Sequence, residues 1–143
     1  MIYNTVAPVA DDVRSSLCEF ITQSTAGHQW WAESILFYDD PQHPGHLVGD
    51  TKLFVLLDDP AIDSFMAHAD LERIVVALES SSARFGVDWD LSLAGAPIGS
   101  ITRGRRDAAL AQAVMGLLEA CGEMGVDPAT LDRENILREY HDR

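Results

Sequence analysis

Two histidines and an aspartate form the first candidate for chemistry in this sequence. His43 and His46 are three residues apart in the segment 39–50, DDPQHPGHLVGD, which ends at Asp50. Imidazole and carboxylate groups are ligands for zinc and related divalent ions. The spacing comes from a Pro-Gly turn and not from one helix face, and no third histidine completes a set. The segment predicts a solvated loop, with a weak metal site at His43, His46 and Asp50 as the alternative.

Three arginines fall within four residues of an otherwise acidic chain. Arg103, Arg105 and Arg106 come where the sequence predicts the start of a helix. Positive side chains at a helix N-terminus add to the positive end of the dipole, so they favour a bound anion or a partner's carboxylate. The Lys-Ser/Thr pair of a phosphate-binding loop is missing. The competing interpretation is ion pairing with carboxylates nearby in the sequence, namely Asp88, Asp90 or Asp107.

The tryptophans are a third candidate group. Trp30 and Trp31 are adjacent, and neighbouring side chains of an extended chain point in opposite directions. One of the two is therefore predicted at the surface, where an exposed indole favours a partner interface. Trp89 shares an apolar strand face with Val87 and Leu91 and is predicted in the core.

Nucleophilic catalysis finds little support in the sequence. Cys18 and Cys121 lie on apolar faces of predicted helices, where a thiol behaves as a small hydrophobic group. A G-x-S-x-G elbow is missing, and no motif pairs the carboxylates. We therefore expect a protein that binds rather than one that catalyses, and we expect no cofactor.

The net charge is the strongest feature of the composition. The value of −13, from 23 acidic and 10 basic residues, is spread along the chain and not gathered in a tail. Such a surface repels the phosphate backbone of nucleic acids and attracts basic proteins over a long range. The sequence thus predicts a protein partner and argues against nucleic-acid binding.

Length and cysteine content predict one reduced domain over residues 1–143. A chain of this length buries a sufficient core without disulfides, and it has only two cysteines. No basic residue precedes Arg14, and no apolar run is long enough to cross a bilayer, so we expect a cytoplasmic protein without a membrane segment. Lys52 is the single lysine among ten basic residues, a composition typical of GC-rich bacterial genomes.

Residues 87–93 carry the clearest periodic signal among the elements that would position these groups. Apolar and polar residues alternate strictly there, which predicts a half-buried strand. β-branched character resumes over residues 98–102, so we predict a hairpin whose loop is residues 95–97. The predicted register pairs Ala94 with Ile98, Ser92 with Ser100, Leu91 with Ile101 and Asp90 with Thr102.

Helical spacing of apolar residues predicts four helices. They cover residues 10–24, Pro60 to about Arg84, residues 105–124, and a segment from Pro128 to the C-terminus. Whether the second is one helix or breaks near Asp70 stays open. Strand composition predicts two further strands, at residues 34–38 and 51–58, paired across the loop 39–50. The order α-β-β-α-β-β-α-α predicts a single α+β domain whose antiparallel sheet is covered by helices on one side.

Charge, size and layout together predict a small acidic interaction domain. Its expected partner is a basic protein, in the physical style of toxin-immunity proteins and secretion chaperones. The alternative is a ligand-binding domain or small enzyme that uses the arginine cluster or the His43/His46 loop. Apolar residues within 131–140 fit either the domain's own surface or a second copy, so a homodimer stays open.

Overall fold

The computed structural model describes residues 1–143 as four helices and a six-stranded sheet. In chain order the elements are β1 (Ile2–Thr5), α1 (Asp11–Ser24), β2 (Leu36–Asp39), β3 (Leu47–Asp50), α2 (Pro60–Phe85), β4 (Trp89–Leu93), β5 (Ala96–Thr102), β6 (Arg105–Arg106), α3 (Ala108–Glu123) and α4 (Arg133–His141). The strands lie in the order β2-β3-β1-β4-β5-β6, and every pair is antiparallel. The predicted α+β class is confirmed.

The central strand, β1, is one that the sequence analysis missed. It pairs with β3 on one side and with β4 on the other. Tyr3 of β1 is fully buried, and its ring meets Phe37 and Trp89 edge-on. The ring crosses the backbone of Gly49, where an added Cβ would lie 1.8 Å from a Tyr3 ring carbon. Only glycine at position 49 therefore lets β3 lie beside this tyrosine.

The period-2 pattern of residues 87–93 gives the strand that it predicts. Trp89 and Leu91 of β4 are buried, whereas Asp90 between them is exposed. Their side chains join a core cluster of 17 buried residues that also includes Leu17 of α1 and Leu78 of α2. The helices pack on this face of the sheet. None of the helices is both long enough and apolar enough to cross a membrane.

The predicted register of the β4–β5 hairpin is wrong. Its turn is the residue pair Ala94 and Gly95, both with positive φ (50° and 82°), and not residues 95–97. A bulge between Leu91 and Ser92 shifts the pairing. The observed partners are Trp89 with Ile101, Asp90 with Ser100, Leu91 with Gly99, Ser92 with Pro97 and Leu93 with Ala96. The bulge accommodates the shorter turn while Trp89 and Ile101 both face the core.

The predicted strand at residues 51–58 is also wrong, and so is the extent of the loop before it. β3 occupies Leu47–Asp50, inside the predicted loop, and the ladder ends where Thr51 and Met1 exchange hydrogen bonds. Apart from Leu56, the apolar residues after Thr51 pack on two clusters, and none of them pairs in the sheet. The strand prediction for residues 34–38 is close, since β2 is Leu36–Asp39 and pairs with β3.

The helices follow their capping signals. α2 is a single helix of 26 residues, begun by the side chain of Asp59 and ended by Gly86 in the left-handed region. α3 begins later than predicted because Asp107 is its cap and accepts a hydrogen bond from the main chain of Leu110. The predicted C-terminal helix is divided into a 3-10 turn at Pro128–Thr130 and α4.

Asp70, in the middle of α2, is a carboxylate with no exposure to solvent. It accepts hydrogen bonds from Trp31 N (2.9 Å), His28 Nε2 (2.8 Å) and Arg133 Nη2 (3.2 Å). Asp63, seven residues earlier, accepts one from the Trp31 indole (2.9 Å). The two carboxylates therefore hold the segment after α1 and the start of α4 against α2.

We expect Asp70→Asn to lower the free energy of unfolding by about 3–5 kcal/mol, because His28 and Arg133 lose their negative partner in a buried site. Urea denaturation at neutral pH measures the loss. Glu139→Gln, on the exposed side of α4, is the matched control and should change stability by no more than about 0.5 kcal/mol. A loss for Asp70→Asn as small as the control's would contradict the argument.

Candidate functional site

One face of the sheet carries no helix. Because side chains alternate along each strand, the residues next to Tyr3, Phe37 and Trp89 point away from the core. We call this surface the open face and define it by Ile2, Val6, Leu36, Tyr38, Asp50 and Asp90. Cross-strand pairing places Leu36, Asp50 and Ile2 in one row, and Tyr38, Val48 and Asn4 in the next.

Apolar side chains are concentrated on the open face. Leu36 is 63% exposed, Val6 51%, Tyr38 46% and Ile2 41%. These are four of the eight large hydrophobic side chains that the molecule exposes, so half of them share this one surface. A groove of about 450 Å³ runs between Ile2, Tyr38 and Val48 and the loop from Asp40 to His43. Exposed apolar side chains grouped on one surface mark an interaction site more often than scattered single residues do.

Carboxylates border these apolar residues without cationic side-chain partners. Asp50 lies 3.8 Å from the N-terminal ammonium, and Asp90 accepts a hydrogen bond from the Ser100 hydroxyl (2.6 Å). Asp40 accepts hydrogen bonds from the main chain of Gln42 and from the imidazole of His43, and both lower the pKa of Asp40. No arginine or lysine side chain forms an ion pair with any of the three. The open face therefore carries exposed apolar side chains on β1 and β2, with aspartates beside and between them on β3 and β4.

The structure does not bring His43, His46 and Asp50 together. His43 binds Asp40, and His46 donates a hydrogen bond to the carbonyl of Thr5 (2.8 Å). Asp50 lies at the other end of β3, about 10 Å further along the strand from Leu47. No group of three or more His, Cys, Asp or Glu side chains is arranged to hold a metal ion. The two imidazoles are neighbours, with ring centroids 5.8 Å apart, but each has a structural contact of its own.

The predicted arginine site at a helix N-terminus is not formed. Arg105 and Arg106 make up β6, ahead of the first residue of α3. Arg103 occupies the preceding turn with φ 50°, and its main-chain N–H donates to Asp88. The side chains of Arg103 and Arg105 are exposed and form no ion pair. Of the three expected binding residues, only these two remain available to an anion or a partner's carboxylate.

Arg106 faces α2 and is held by two glutamates. Its guanidinium donates to Glu79 through Nε (2.8 Å) and to Glu72 through Nη1 (2.8 Å), and the arginine side chain is 21% exposed. This contact holds the pKa of Glu79 below its ordinary value and raises the pKa of Arg106. The partners are therefore not the expected Asp88, Asp90 or Asp107. They lie 34 and 27 residues upstream, so no local pattern indicated them.

Of the two adjacent tryptophans, Trp31 is buried and only Trp30 reaches the surface, where it helps to line a pocket; a role of either indole at a partner interface stays a prediction. Trp31 is 3% exposed and packs in a second cluster with Met66 and Leu137. Trp30 is half-buried against the main core, and its ring lies edge-on to His28 with centroids 4.5 Å apart. The segment bends onto α2 at Asp70.

The largest surface cavity, about 680 Å³, lies between the segment 27–29 and α4. Its arginines are engaged within the chain: Arg133 with Asp70 and the carbonyl of Gln29, and Arg138 with Asn135. Burial raises the pKa of the thiols of Cys18 and Cys121, which disfavours the thiolate that nucleophilic chemistry needs. These features give neither a charged ligand site nor a reactive centre.

Comparison with known proteins gives no relative from which a function could be inferred: no family model, no curated protein and no solved structure matches the chain. The open face is thus the surface on which a functional argument can be built.

We expect Arg106→Gln to lower the free energy of unfolding by about 2–3 kcal/mol at neutral pH, because two carboxylates lose a shared charged donor. The pKa of Glu79 is lower in the folded chain than its ordinary 4.5. Its ion pair therefore stabilises the fold above that value, and the contribution is lost as pH falls through the folded pKa. The difference between wild type and variant should accordingly shrink on acidification.

Urea denaturation from pH 7 down to about pH 3.5 measures this dependence. Arg105→Gln, which removes an exposed arginine with no ion pair, is the control and should change stability by less than about 0.5 kcal/mol. A difference between wild type and Arg106→Gln that stayed constant over the whole range would contradict the assignment.

Proposed function

We propose that this chain is a small acidic interaction protein that binds a basic protein partner through its open face. The observation that supports the proposal is the uncovered sheet surface on which Leu36, Tyr38 and Ile2 lie beside carboxylates that no arginine or lysine neutralises. The likeness to toxin-immunity proteins and secretion chaperones is one of size, charge and layout.

The apolar side chains of the open face supply the driving force for binding. Covering the part of Leu36 or Tyr38 that is still exposed contributes about 1–2 kcal/mol before the costs of association are subtracted. The cross-strand rows place these side chains on a sheet whose main chain is already hydrogen-bonded, so the surface is formed before the partner arrives. Little ordering entropy is then lost on this side of the interface.

The aspartates of the open face select the chemistry of the partner. A surface of net charge −13 steers basic molecules toward it, and Asp40, Asp50 and Asp90 meet their lysines or arginines beside the apolar contacts. Phosphate backbones are repelled by the same field. A partner whose contact surface alternates apolar side chains with cations fits this arrangement.

The alternative of a small enzyme or ligand-binding domain depended on two arrangements. One was a set of arginines at a helix N-terminus, and the other was a set of histidine and aspartate ligands in one loop. Arg106 is bound to Glu72 and Glu79, and Asp50 lies apart from the histidines. Of the residues on which the alternative depended, Arg103 and Arg105 alone remain free for an anion, and the open face offers the larger surface.

Two double variants test the proposal. Leu36→Lys with Tyr38→Lys places two cations on the open face, whereas Val76→Lys with Met115→Lys makes the same change at exposed apolar positions of α2 and α3. Both raise the net charge by two. Each purified chain is used as bait in a lysate of its source organism, and captured proteins are identified by mass spectrometry and then titrated directly.

The expected result is a basic protein that wild type and the helix variant bind and the open-face variant does not. Its affinity should fall as salt rises from about 0.05 to 0.3 M, since exposed charges are screened over roughly 10 Å at 0.1 M. A partner retained by the open-face variant, or one that is acidic and insensitive to salt, would overturn the proposal.

A further inference from the structure

Residues 52–58, KLFVLLD, follow β3 and have the composition of a strand, yet they belong to no strand. Within the chain, none of the main-chain N–H groups of residues 52–56 donates a hydrogen bond, and none of the carbonyls of residues 52–58 accepts one. The only main-chain group engaged is the N–H of Leu57, which donates to Asp63 (2.7 Å). Main-chain groups of a folded protein pair with other protein groups or with water, so those of residues 52–56 are available to a neighbouring strand.

Side chains anchor this segment to the molecule. Leu53 is buried in the main core and Phe54 packs against it, while Val55 and Leu57 pack on the cluster of Trp31, Met66 and Leu137. Leu56 is different: it is 82% exposed, more than any other large hydrophobic side chain, and its φ of 61° lies in the left-handed region. The segment is thus fixed in place, with free hydrogen-bonding groups and an apolar side chain in solvent.

The order of residues in the segment is complementary to itself. When two copies of residues 52–58 run antiparallel about a two-fold axis at Val55, Lys52 of one faces Asp58 of the other. Leu53 then faces Leu57, and Phe54 faces Leu56. Lys52 and Asp58 are both exposed, and neither has an ion pair within its own chain. A shift by one residue in one direction sets Lys52 opposite Leu57, and a shift in the other direction sets Leu53 opposite Asp58.

We propose that residues 52–58 pair with the same segment of a second copy of this chain, giving a dimer joined by an antiparallel strand pair. The pairing supplies partners for the free main-chain groups and covers Leu56 with Phe54 of the second copy. It moves Leu56 from the left-handed to the extended region, which non-glycine residues favour. This surface is separate from the apolar side chains of the open face, so the dimer does not depend on the proposed function.

Size and charge predict a weak dimer. A strand pair of seven residues buries less than the roughly 1,200–2,000 Å² of a stable interface, so we expect a dissociation constant in the micromolar range. Two molecules of net charge −13 also repel each other, and salt at about 0.3 M reduces that repulsion. Measurements at low salt would underestimate the association.

A charge swap tests the pairing. Sedimentation equilibrium from about 5 to 500 µM at about 0.3 M NaCl gives the dissociation constant of wild type, Lys52→Glu, Asp58→Lys and the double variant. Each single variant sets like charges opposite each other at both ends of the pair and should weaken the dimer at least about tenfold. The double variant restores opposite charges and should return to within about threefold of wild type.

Leu56→Asp provides an independent measurement at an exposed position. It should weaken the dimer on the order of a hundredfold, because each dimer covers two copies of this side chain. Circular dichroism and thermal unfolding of every variant check that the fold is retained. A wild-type chain that stays monomeric at the highest concentration, single variants that dimerise as wild type does, or a double variant that fails to restore the dimer would each overturn the proposal.

Discussion

The buried carboxylate of Asp70 fixes the part of the molecule that lies away from the sheet. A charge without solvent is tolerated only when donors surround it, and here they come from Trp31, His28 and Arg133, on three different stretches of chain. Removing the segment that carries any of these donors would leave the charge short of a partner. The helix α4 is consequently part of the domain. Leu137 is 3% exposed, and the ring centroids of Tyr140 and Trp31 are 4.8 Å apart. The apolar face of the last helix is therefore used internally and is not left for a second copy.

The position of the helices determines which surfaces remain for partners. Once α1, α2 and α3 cover the face of the sheet that carries Tyr3 and Trp89, the apolar residues of the other face have no element of this chain to pack on. The same packing draws Leu53 and Phe54 out of the sheet and leaves the main chain of residues 52–56 without partners. The open face and residues 52–58 thus follow from the same arrangement of helices. The helices pack on one face of the sheet and against Leu53 and Phe54, so the other face of the sheet stays uncovered and the main chain of residues 52–56 stays without hydrogen bonds within the chain.

The sequence predicted correctly those helix ends and strands that interactions between neighbouring residues determine. The cap at Asp59, the stop at Gly86 and the alternation around Trp89 each act within a few residues, and each gives the element expected. Pairing between distant segments was not predictable in this way. The strand β1 has four residues and no turn signal before it, and Arg106 finds its glutamates on a helix far upstream. Residues 51–58 show the limit most clearly, because the apolar composition of a paired strand and of an extended segment packed on two clusters is the same.

Positively and negatively charged side chains have different roles in this molecule. Most of its few cations serve internal contacts: Arg106 binds two glutamates of α2, Arg133 binds Asp70, and Arg84 stacks over the rings of Phe20 and Phe85. Arg14 likewise ties α1 to Asp39 and to the carbonyl of Gly45. The carboxylates outnumber these cations, so the aspartates of the open face keep their charge without an arginine or lysine partner. Arginines therefore stabilise the fold, and these aspartates remain on the surface. In the proposed complex, negative charge would select the partner while apolar side chains would supply the contact.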